Sequence, residues 1–135
     1  MQVILLIEDS KFLRLANGKA LTRAGYDVLN AGDGLEGLKL AKEKSPHLIL
    51  LDMMLPKVSG LDVLRALKQD PTTKAIPVVI LTALSAKNKD KLANEGAAGF
   101  VEKSDELLAN DSAALVSSVK LLLNGSNPVV SFADN

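Results

Sequence analysis

Two patterns of hydrophobic positions alternate along the chain. Short apolar runs are each followed by a longer segment in which apolar residues recur at helical spacing. The runs are nearly continuous in Val, Ile and Leu, as is typical of parallel strands buried on both faces. The pattern therefore predicts a doubly wound α/β domain, with a five-stranded parallel sheet covered by helices on both faces. The predicted strands are Val3–Ile7, Asp27–Asn30, Leu48–Leu51, Val78–Leu81 and Gly99–Val101.

Capping residues set the starts of the first three predicted helices. Ser10 can cap the first helix, and Gly25 ends it. Asp33 and Glu36 have the spacing of a capping box, which predicts that the second helix begins there. The third helix begins near Ser59.

The C-terminal half of the chain has weaker helix signals. Asp70 and the proline after it end the third helix, and a more polar fourth helix is predicted over Ser85–Glu95. The last helical region, Ser104–Asn124, contains an Asn-Asp-Ser interruption, which favours a short turn followed by a helix capped at Asp111. We expect one domain over residues 1–124.

The segment 125–135 begins with a Gly-Ser-Asn-Pro breaker. We expect this tail to be either disordered or docked through Val130 and Phe132.

Length and charge narrow the class of protein. A chain of 135 residues is long enough for one hydrophobic core. Its 16 basic and 16 acidic residues balance, so no overall field attracts nucleic acid or an anionic membrane. The absence of cysteine excludes disulfides, thiolate zinc sites and cysteine nucleophiles, and fits a reducing cytosol. The first apolar run is too short to cross a membrane and is followed by acids, so we expect a cytoplasmic protein without membrane insertion.

Polar residues follow the predicted strands at their carboxyl ends. Glu8 and Asp9 follow the first strand, Asp52 the third, Thr82 the fourth, and Lys103 comes soon after the fifth. Ligands of doubly wound sheets bind at this edge, so we expect these side chains to converge. Clustered carboxylates without histidine or cysteine favour a hard cation, and the sequence therefore predicts a Mg²⁺ site.

A magnesium site at this edge suggests phosphoryl chemistry. Mg²⁺ uses few carboxylates and leaves coordination positions for a phosphate oxygen. Thr82 could donate a hydrogen bond to a phosphoryl oxygen, and Lys103 could neutralise its charge. In this interpretation Asp52 is the nucleophile.

Four motifs in the expected order resemble those of response-regulator receiver domains. They are the Glu8-Asp9 pair, the stretch LLDMMLPKVSGLDVL around Asp52, the LTA containing Thr82, and GFVEK ending in Lys103. The resemblance covers roughly residues 1–124 and all five predicted units. It implies a flavodoxin-like (βα)5 fold with strand order 2-1-3-4-5.

The resemblance also implies a reaction and a metal site. A histidine kinase or a histidine phosphotransfer protein would donate a phosphoryl group to Asp52, forming an acyl phosphate. In such a domain Mg²⁺ is bound by Asp9, by Asp52 and by the backbone carbonyl of Met54, with Glu8 acting through water. The chain would catalyse only its own phosphorylation and dephosphorylation, and would not be a turnover enzyme.

A conformational switch is the third implication of the resemblance. Phosphorylation would draw the Thr82 hydroxyl toward the phosphoryl group, and Phe100 would move inward. This movement would repack the surface formed by helix four, strand five and helix five, where a downstream protein binds, and it would allow a phosphorylation-dependent homodimer. In this chain Lys103 is followed by Ser104, where the family usually has a proline after a cis peptide bond.

Other interpretations remain open from the sequence. The segment 32–37 matches G-x-G-x-x-G, a dinucleotide-binding pattern, although its two acids would repel a pyrophosphate. An aspartyl-phosphate hydrolase of the haloacid-dehalogenase type would need a second acid where Met54 stands. A receiver-like interaction module that takes no phosphate is the main alternative. His47, the single histidine, is predicted to be structural.

Overall fold

A computed structural model describes residues 2–55, 57–82, 89–102, 113–123 and 130–131. Its centre is a parallel sheet with the strand order β2-β1-β3-β4-β5-β6. The predicted doubly wound fold and the order 2-1-3-4-5 are confirmed. A short sixth strand, which the sequence pattern did not show, pairs with the outer side of β5. The strands are β1 Val3–Ile7, β2 Asp27–Ala31, β3 Leu48–Asp52, β4 Val78–Thr82, β5 Gly99–Glu102 and β6 Val130–Ser131.

Most strands run one residue further toward their carboxyl ends than predicted. Ala31, Asp52, Thr82 and Glu102 all belong to their strands rather than to the loops that follow. Asp52 pairs with Leu81, and Thr82 pairs with Glu102. In β3, β4 and β5 the difference arises because hydrogen bonding between strands continues past the last apolar residue. As a result Asp52 and Thr82 have backbones fixed by the sheet.

Helices begin where the capping residues predicted. Ser10 Oγ accepts a hydrogen bond from the Leu13 N–H at 3.3 Å, and Ser59 Oγ accepts one from the Asp62 N–H at 3.2 Å. Asp33 caps the second helix in the same way. The helices are α1 Lys11–Arg23, α2 Gly34–Lys44, α3 Gly60–Gln69, α4 Lys89–Asn94 and α5 Ala113–Leu123. Residues 83–88 and 103–112 lie outside the described part of the chain, and so does the predicted cap at Asp111.

Alternate residues of the central strands pack on opposite faces of the sheet. In β3, Ile49 and Leu51 belong to the cluster covered by α2, α3 and α4. Leu48 and Leu50 belong to the cluster covered by α1 and α5. Both faces of β3 are therefore buried, which explains why its sequence is continuously apolar.

His47 lies at the amino end of the sheet, away from the acids. Its Nδ1 accepts a hydrogen bond from the Val3 N–H at 2.9 Å, which joins the start of β1 to the entrance of β3. This contact fits the structural role predicted for His47. Within the described residues, no helix has the length and apolarity needed to cross a membrane.

An ion pair joins α3 to the end of α4. Arg65 donates from Nε and from one terminal nitrogen to the two carboxylate oxygens of Glu95, each at 3.1 Å. Hydrogen bonding from Arg65, together with its charge, lowers the pKa of Glu95 below the ordinary value of 4.5. Because the folded protein holds the charged form, this pair stabilises the fold above that pH.

We predict that the stability difference between the wild type and Glu95→Gln depends on pH. The wild type should have the higher denaturation midpoint above pH 4.5, and its advantage should disappear as the pH falls through the lowered pKa of Glu95. Urea denaturation across this range would measure it. Glu43→Gln, an exposed change on α2, is the control and should show no comparable trend. A difference that grows in acid would contradict the assignment.

Two glycines inside helices differ in what surrounds them. Within the part of the chain that the structure describes, a Cβ built on Gly18 of α1 would meet only Asn30 Oδ1, at 3.9 Å, an ordinary contact. A Cβ on Gly37 of α2 would overlap the Ile7 side chain, with Cγ1 at 2.8 Å. Packing of α2 on β1 therefore requires Gly37, whereas packing does not require Gly18.

We predict that Gly18→Ala raises the free energy of unfolding by about 0.5–1 kcal/mol, because alanine loses less entropy in a helix interior. Gly37→Ala should lower it by about 1–3 kcal/mol through overpacking. Thermal or urea denaturation of the two variants provides the measurement. Destabilisation by Gly18→Ala would show that α1 needs a glycine at this position.

Candidate functional site

The carboxyl ends of β1 and β3 bring the acidic residues together. Ile7 pairs with Leu51 in the parallel ladder, so Glu8 and Asp52 leave neighbouring strands at the same level. Carboxylate oxygens of Glu8, Asp9 and Asp52 all lie within 4.8 Å of one another. The convergence predicted for these acids is therefore present in the fold.

The three acids differ in exposure. Glu8 and Asp52 are fully buried, whereas Asp9 is exposed. Asp52 Oδ1 accepts a hydrogen bond from the Met54 N–H at 3.0 Å, and Glu8 Oε2 accepts one from the Ser10 N–H at 3.3 Å. The cluster is thus a half-enclosed acidic pocket that opens to solvent at Asp9.

Electrostatics favour a cation in this pocket. Two like charges 4 Å apart repel by about 4 kcal/mol at an effective dielectric of about 20. A divalent ion among the three carboxylates would replace this repulsion with attraction. The donors are all oxygens, which suits a hard cation, and the exposed side leaves room for water or substrate. The residues present therefore fit a metal ion.

Thr82 ends the strand next to Asp52. Leu81 pairs with Asp52, so Thr82 lies one residue further along β4, and its side chain is 2% exposed. Thr82 is therefore a buried residue at the same carboxyl edge of the sheet as Asp52. Lys103 follows β5 directly, but Lys103 and Ser104 lie outside the described residues. The predicted role of Lys103 stays a prediction.

Phe100 and Met54 occupy contrasting environments. Phe100 is 2% exposed and packs in the core cluster on the α3 and α4 side of the sheet. Met54 has a side chain that is 68% exposed, while its N–H is bonded to Asp52. The Phe100 ring is already buried in this structure. A switch at this position would therefore change how often the ring occupies its buried rotamer and how often an exposed one.

Gly60 is a site residue that sequence reasoning missed. It begins α3, and its N–H donates to the Met53 carbonyl at 3.2 Å. A Cβ at this position would lie 2.7 Å from the Asp52 carbonyl oxygen and 2.6 Å from Met53 Cα. The start of α3 therefore presses directly on the backbone that carries Asp52. The signal in the sequence was a glycine immediately after the Ser59 cap.

Arg14 is a second residue that the sequence did not single out. Its guanidinium donates to the Glu8 carbonyl at 2.8 Å, which ties α1 to the end of β1. A Cβ on Gly32 would lie 3.3 Å from the same nitrogen, so the absence of a side chain at Gly32 leaves space for the guanidinium.

The G-x-G-x-x-G segment serves packing. Asp33 Oδ1 accepts from the Glu36 N–H at 2.9 Å, as the capping interpretation predicted. A Cβ on Gly34 would lie 2.7 Å from Val63 Cγ2, and one on Gly37 would overlap Ile7. These two glycines allow α2 to approach α3 and β1, which explains them without a dinucleotide.

Comparison with known proteins identifies the class to which this geometry corresponds. Residues 4–110 match the sequence model of a family described as "Response regulator receiver domain". The chain is 37% identical over 131 residues to the DNA-binding dual master transcriptional regulator RpaA of Synechocystis, covering 96% of this chain and 52% of RpaA. It therefore spans about half the length of that relative.

A smaller relative and a solved structure match over most of their length. The polar-differentiation response regulator DivK of Brucella anthropi is 34% identical over 101 residues, covering 74% of this chain and 82% of DivK. The crystal structure of the Mn²⁺-bound form of response regulator Rcp1 superposes with a TM-score of 0.75 at 30% identity. That match covers 90% of this chain and 93% of Rcp1.

We predict that Gly60→Ala distorts the acidic pocket. The added methyl group would overlap backbone atoms of Asp52 and Met53, and we expect a loss of about 1–3 kcal/mol in stability. We also expect weaker binding of a divalent cation, measured by calorimetric titration with Mg²⁺. Gly18→Ala is the matched glycine control and should leave cation affinity unchanged. Unchanged stability and affinity in Gly60→Ala would show that α3 does not constrain the Asp52 backbone.

Proposed function

The chain belongs to the response regulator receiver domain family, and from this premise we propose that Asp52 is its phosphoacceptor. In this proposal a phosphohistidine of a histidine kinase or histidine phosphotransfer protein donates the phosphoryl group. The receiver then changes its partner-binding surface, as a signalling element of a two-component system or phosphorelay.

The observation that carries this proposal is the meeting of Glu8, Asp9 and Asp52 at one sheet edge, with oxygens within 4.8 Å. Taking a carboxylate out of water is costly unless opposite charge or hydrogen-bond donors compensate it, and a bound cation would add such compensation. The buried Thr82 on the adjacent strand supplies a hydroxyl at the same edge. This set of groups suits the handling of a phosphoryl group beside a metal ion.

Mg²⁺ is the metal proposed for the pocket. Asp9, Asp52 and the Met54 carbonyl would hold it, with Glu8 acting through water. When bound, the ion would offset the negative charge of the acids and of the phosphoryl oxygens. The Mn²⁺-bound form of Rcp1 supports a divalent ion in a protein of similar fold. The all-oxygen donor set of this chain suits Mg²⁺, which is a hard cation.

In the proposed reaction an Asp52 carboxylate oxygen attacks the phosphorus atom of the phosphohistidine. A P–O bond forms, the P–N bond breaks, and its electron pair returns to the imidazole nitrogen. The Met54 N–H, bonded to Oδ1, fixes the orientation of the Asp52 carboxylate. Lys103 would neutralise the charge on the phosphoryl oxygens. The chain would thereby catalyse only its own phosphorylation and dephosphorylation, without acting as a turnover enzyme.

The proposed switch begins at Thr82 and Phe100. Thr82 would donate to a phosphoryl oxygen, and the Phe100 ring would be held inward to fill the space left by the threonine. Since Phe100 packs on the α4 side of β5, this change would alter the surface made by α4, β5 and α5. A downstream protein would bind that surface, and phosphorylation would also allow a homodimer to form.

A receiver-like module that takes no phosphate is the second candidate function. It would keep the fold and the partner-binding surface without needing the acidic pocket. The retention of all three acids and of Thr82 favours the phosphoacceptor. The two functions differ in whether Asp52 can be phosphorylated.

We predict one labile phosphoryl adduct on the wild-type chain after incubation with acetyl phosphate and Mg²⁺, measured by intact-mass spectrometry. Asp52→Asn should abolish the adduct because the nucleophile is lost, and EDTA should abolish it by removing the metal. Asp90→Asn, an exposed change on α4, should retain it.

Two negative results together would contradict the phosphoacceptor proposal. No adduct from acetyl phosphate or from a phosphohistidine protein, together with no Mg²⁺ binding by calorimetry, would contradict it. That pair of results would favour the module that takes no phosphate.

A further inference from the structure

A groove of about 370 Å³ lies between α1 and the edge strand β2. Its walls include Leu15 and Gly18 from the helix and Val28 and Asn30 from the strand. The volume is near the lower end of the range for small-molecule sites, about 300–1,000 Å³. This groove lies outside the acidic pocket and plays no part in the function proposed above.

The groove is strongly basic in a chain with no net charge. Arg14, Lys19 and Arg23 line it and Thr22 adds a hydroxyl, and none of the lining residues in the described part of the chain carries a carboxylate. The whole chain carries equal numbers of acidic and basic residues, so this imbalance is local. Such a surface would attract an anion.

Gly18 leaves space in the groove, although the packing of α1 against β2 does not require a glycine there. Among the described residues, its Cβ would meet only Asn30 Oδ1, at 3.9 Å, and neither backbone nor a helix contact there requires glycine. Glycine nevertheless weakens the interior of a helix. A side chain at this position would project into the groove and reduce its volume. A ligand that occupies the groove would therefore explain why the position is a glycine.

One cation in the groove is held in place before any ligand binds. The Arg14 guanidinium donates to the Glu8 carbonyl at 2.8 Å, and Gly32 leaves space for it. A guanidinium has further N–H donors beyond that bond, in a planar arrangement that can donate to a polar atom of a ligand. Fixing it in advance reduces the entropy lost on binding.

From these observations we propose that the groove between α1 and β2 binds a small organic phosphate of about mononucleotide size. Lys19 and Arg23, one helical turn apart, would contact the phosphate, Arg14 would donate to a polar atom at the other end of the ligand, and Leu15 and Val28 would contact its apolar body. The small volume of the groove favours this ligand over an acidic protein, which would bind a wider surface.

The test is an NMR titration of the full ¹⁵N-labelled chain with AMP, inorganic phosphate and adenosine. We expect saturable shifts from AMP at low millimolar concentration, confined to amides around Arg14, Gly18 and Val28. Binding of adenosine should be at least about tenfold weaker, since it lacks the phosphate. Inorganic phosphate should shift the same amides with lower affinity than AMP, because it lacks the apolar body.

Variants separate this site from general charge effects. Lys19→Gln with Arg23→Gln should weaken AMP binding about tenfold or more, whereas Lys11→Gln with Lys44→Gln, at exposed positions outside the groove, should not. Gly18→Leu should block AMP by filling the groove while keeping the helix, since leucine is a good helix former. Asp52→Asn should bind AMP normally, so this result is independent of the phosphoacceptor proposal.

Several results would overturn the assignment. These are the absence of saturable shifts from both phosphates, equal binding of adenosine and AMP, and unchanged affinity in the Lys19 and Arg23 double variant. A glutamate-rich peptide that shifts the same amides with higher affinity than AMP would instead identify the groove as a protein-binding surface.

Discussion

The parallel pairing of β1 with β3 is the constraint on which the rest of the site depends. It places the residues after Ile7 beside the end of β3, and so forces Glu8, Asp9 and Asp52 to within 4.8 Å of one another. Repulsion among these acids would separate them on a flexible loop. Here the sheet fixes Asp52, and the Glu8 N–H continues the ladder by donating to the Ala31 carbonyl at 3.0 Å.

Close approach of the helices keeps that edge rigid. Gly60 lets α3 start against the backbone of Asp52, and Gly37 lets α2 lie on Ile7, the last residue of β1. Arg14 then ties α1 to the Glu8 carbonyl. Three helices therefore bear on the two strands that carry the acids. A change of charge in the pocket would therefore act on closely packed helices and strands. Such packing does not deform gradually but changes between discrete arrangements, which a two-state switch requires.

The sequence predicted the parts of this protein that depend on local patterns. Runs such as Leu48–Leu51 indicated strands buried on both faces, because hydrophobicity without alternation is what such strands need. Ser10, Asp33 and Ser59 marked helix starts, because a cap needs only its own side chain and an N–H three residues away. The resemblance to receiver domains then supplied the strand order, which the sheet confirms.

Tertiary structure alone decided which groups are buried and which meet across the fold. The sequence could not show that Glu8 is enclosed while Asp9 faces solvent, or that Gly60 presses on Asp52. Nor could it show that Gly18 lies in a basic groove, or that β6 extends the sheet. The same physical reason applies to these four features. The periodicity of a sequence indicates the face of a helix or strand on which a residue lies. Distances between segments far apart in the chain depend on how whole helices and strands pack together.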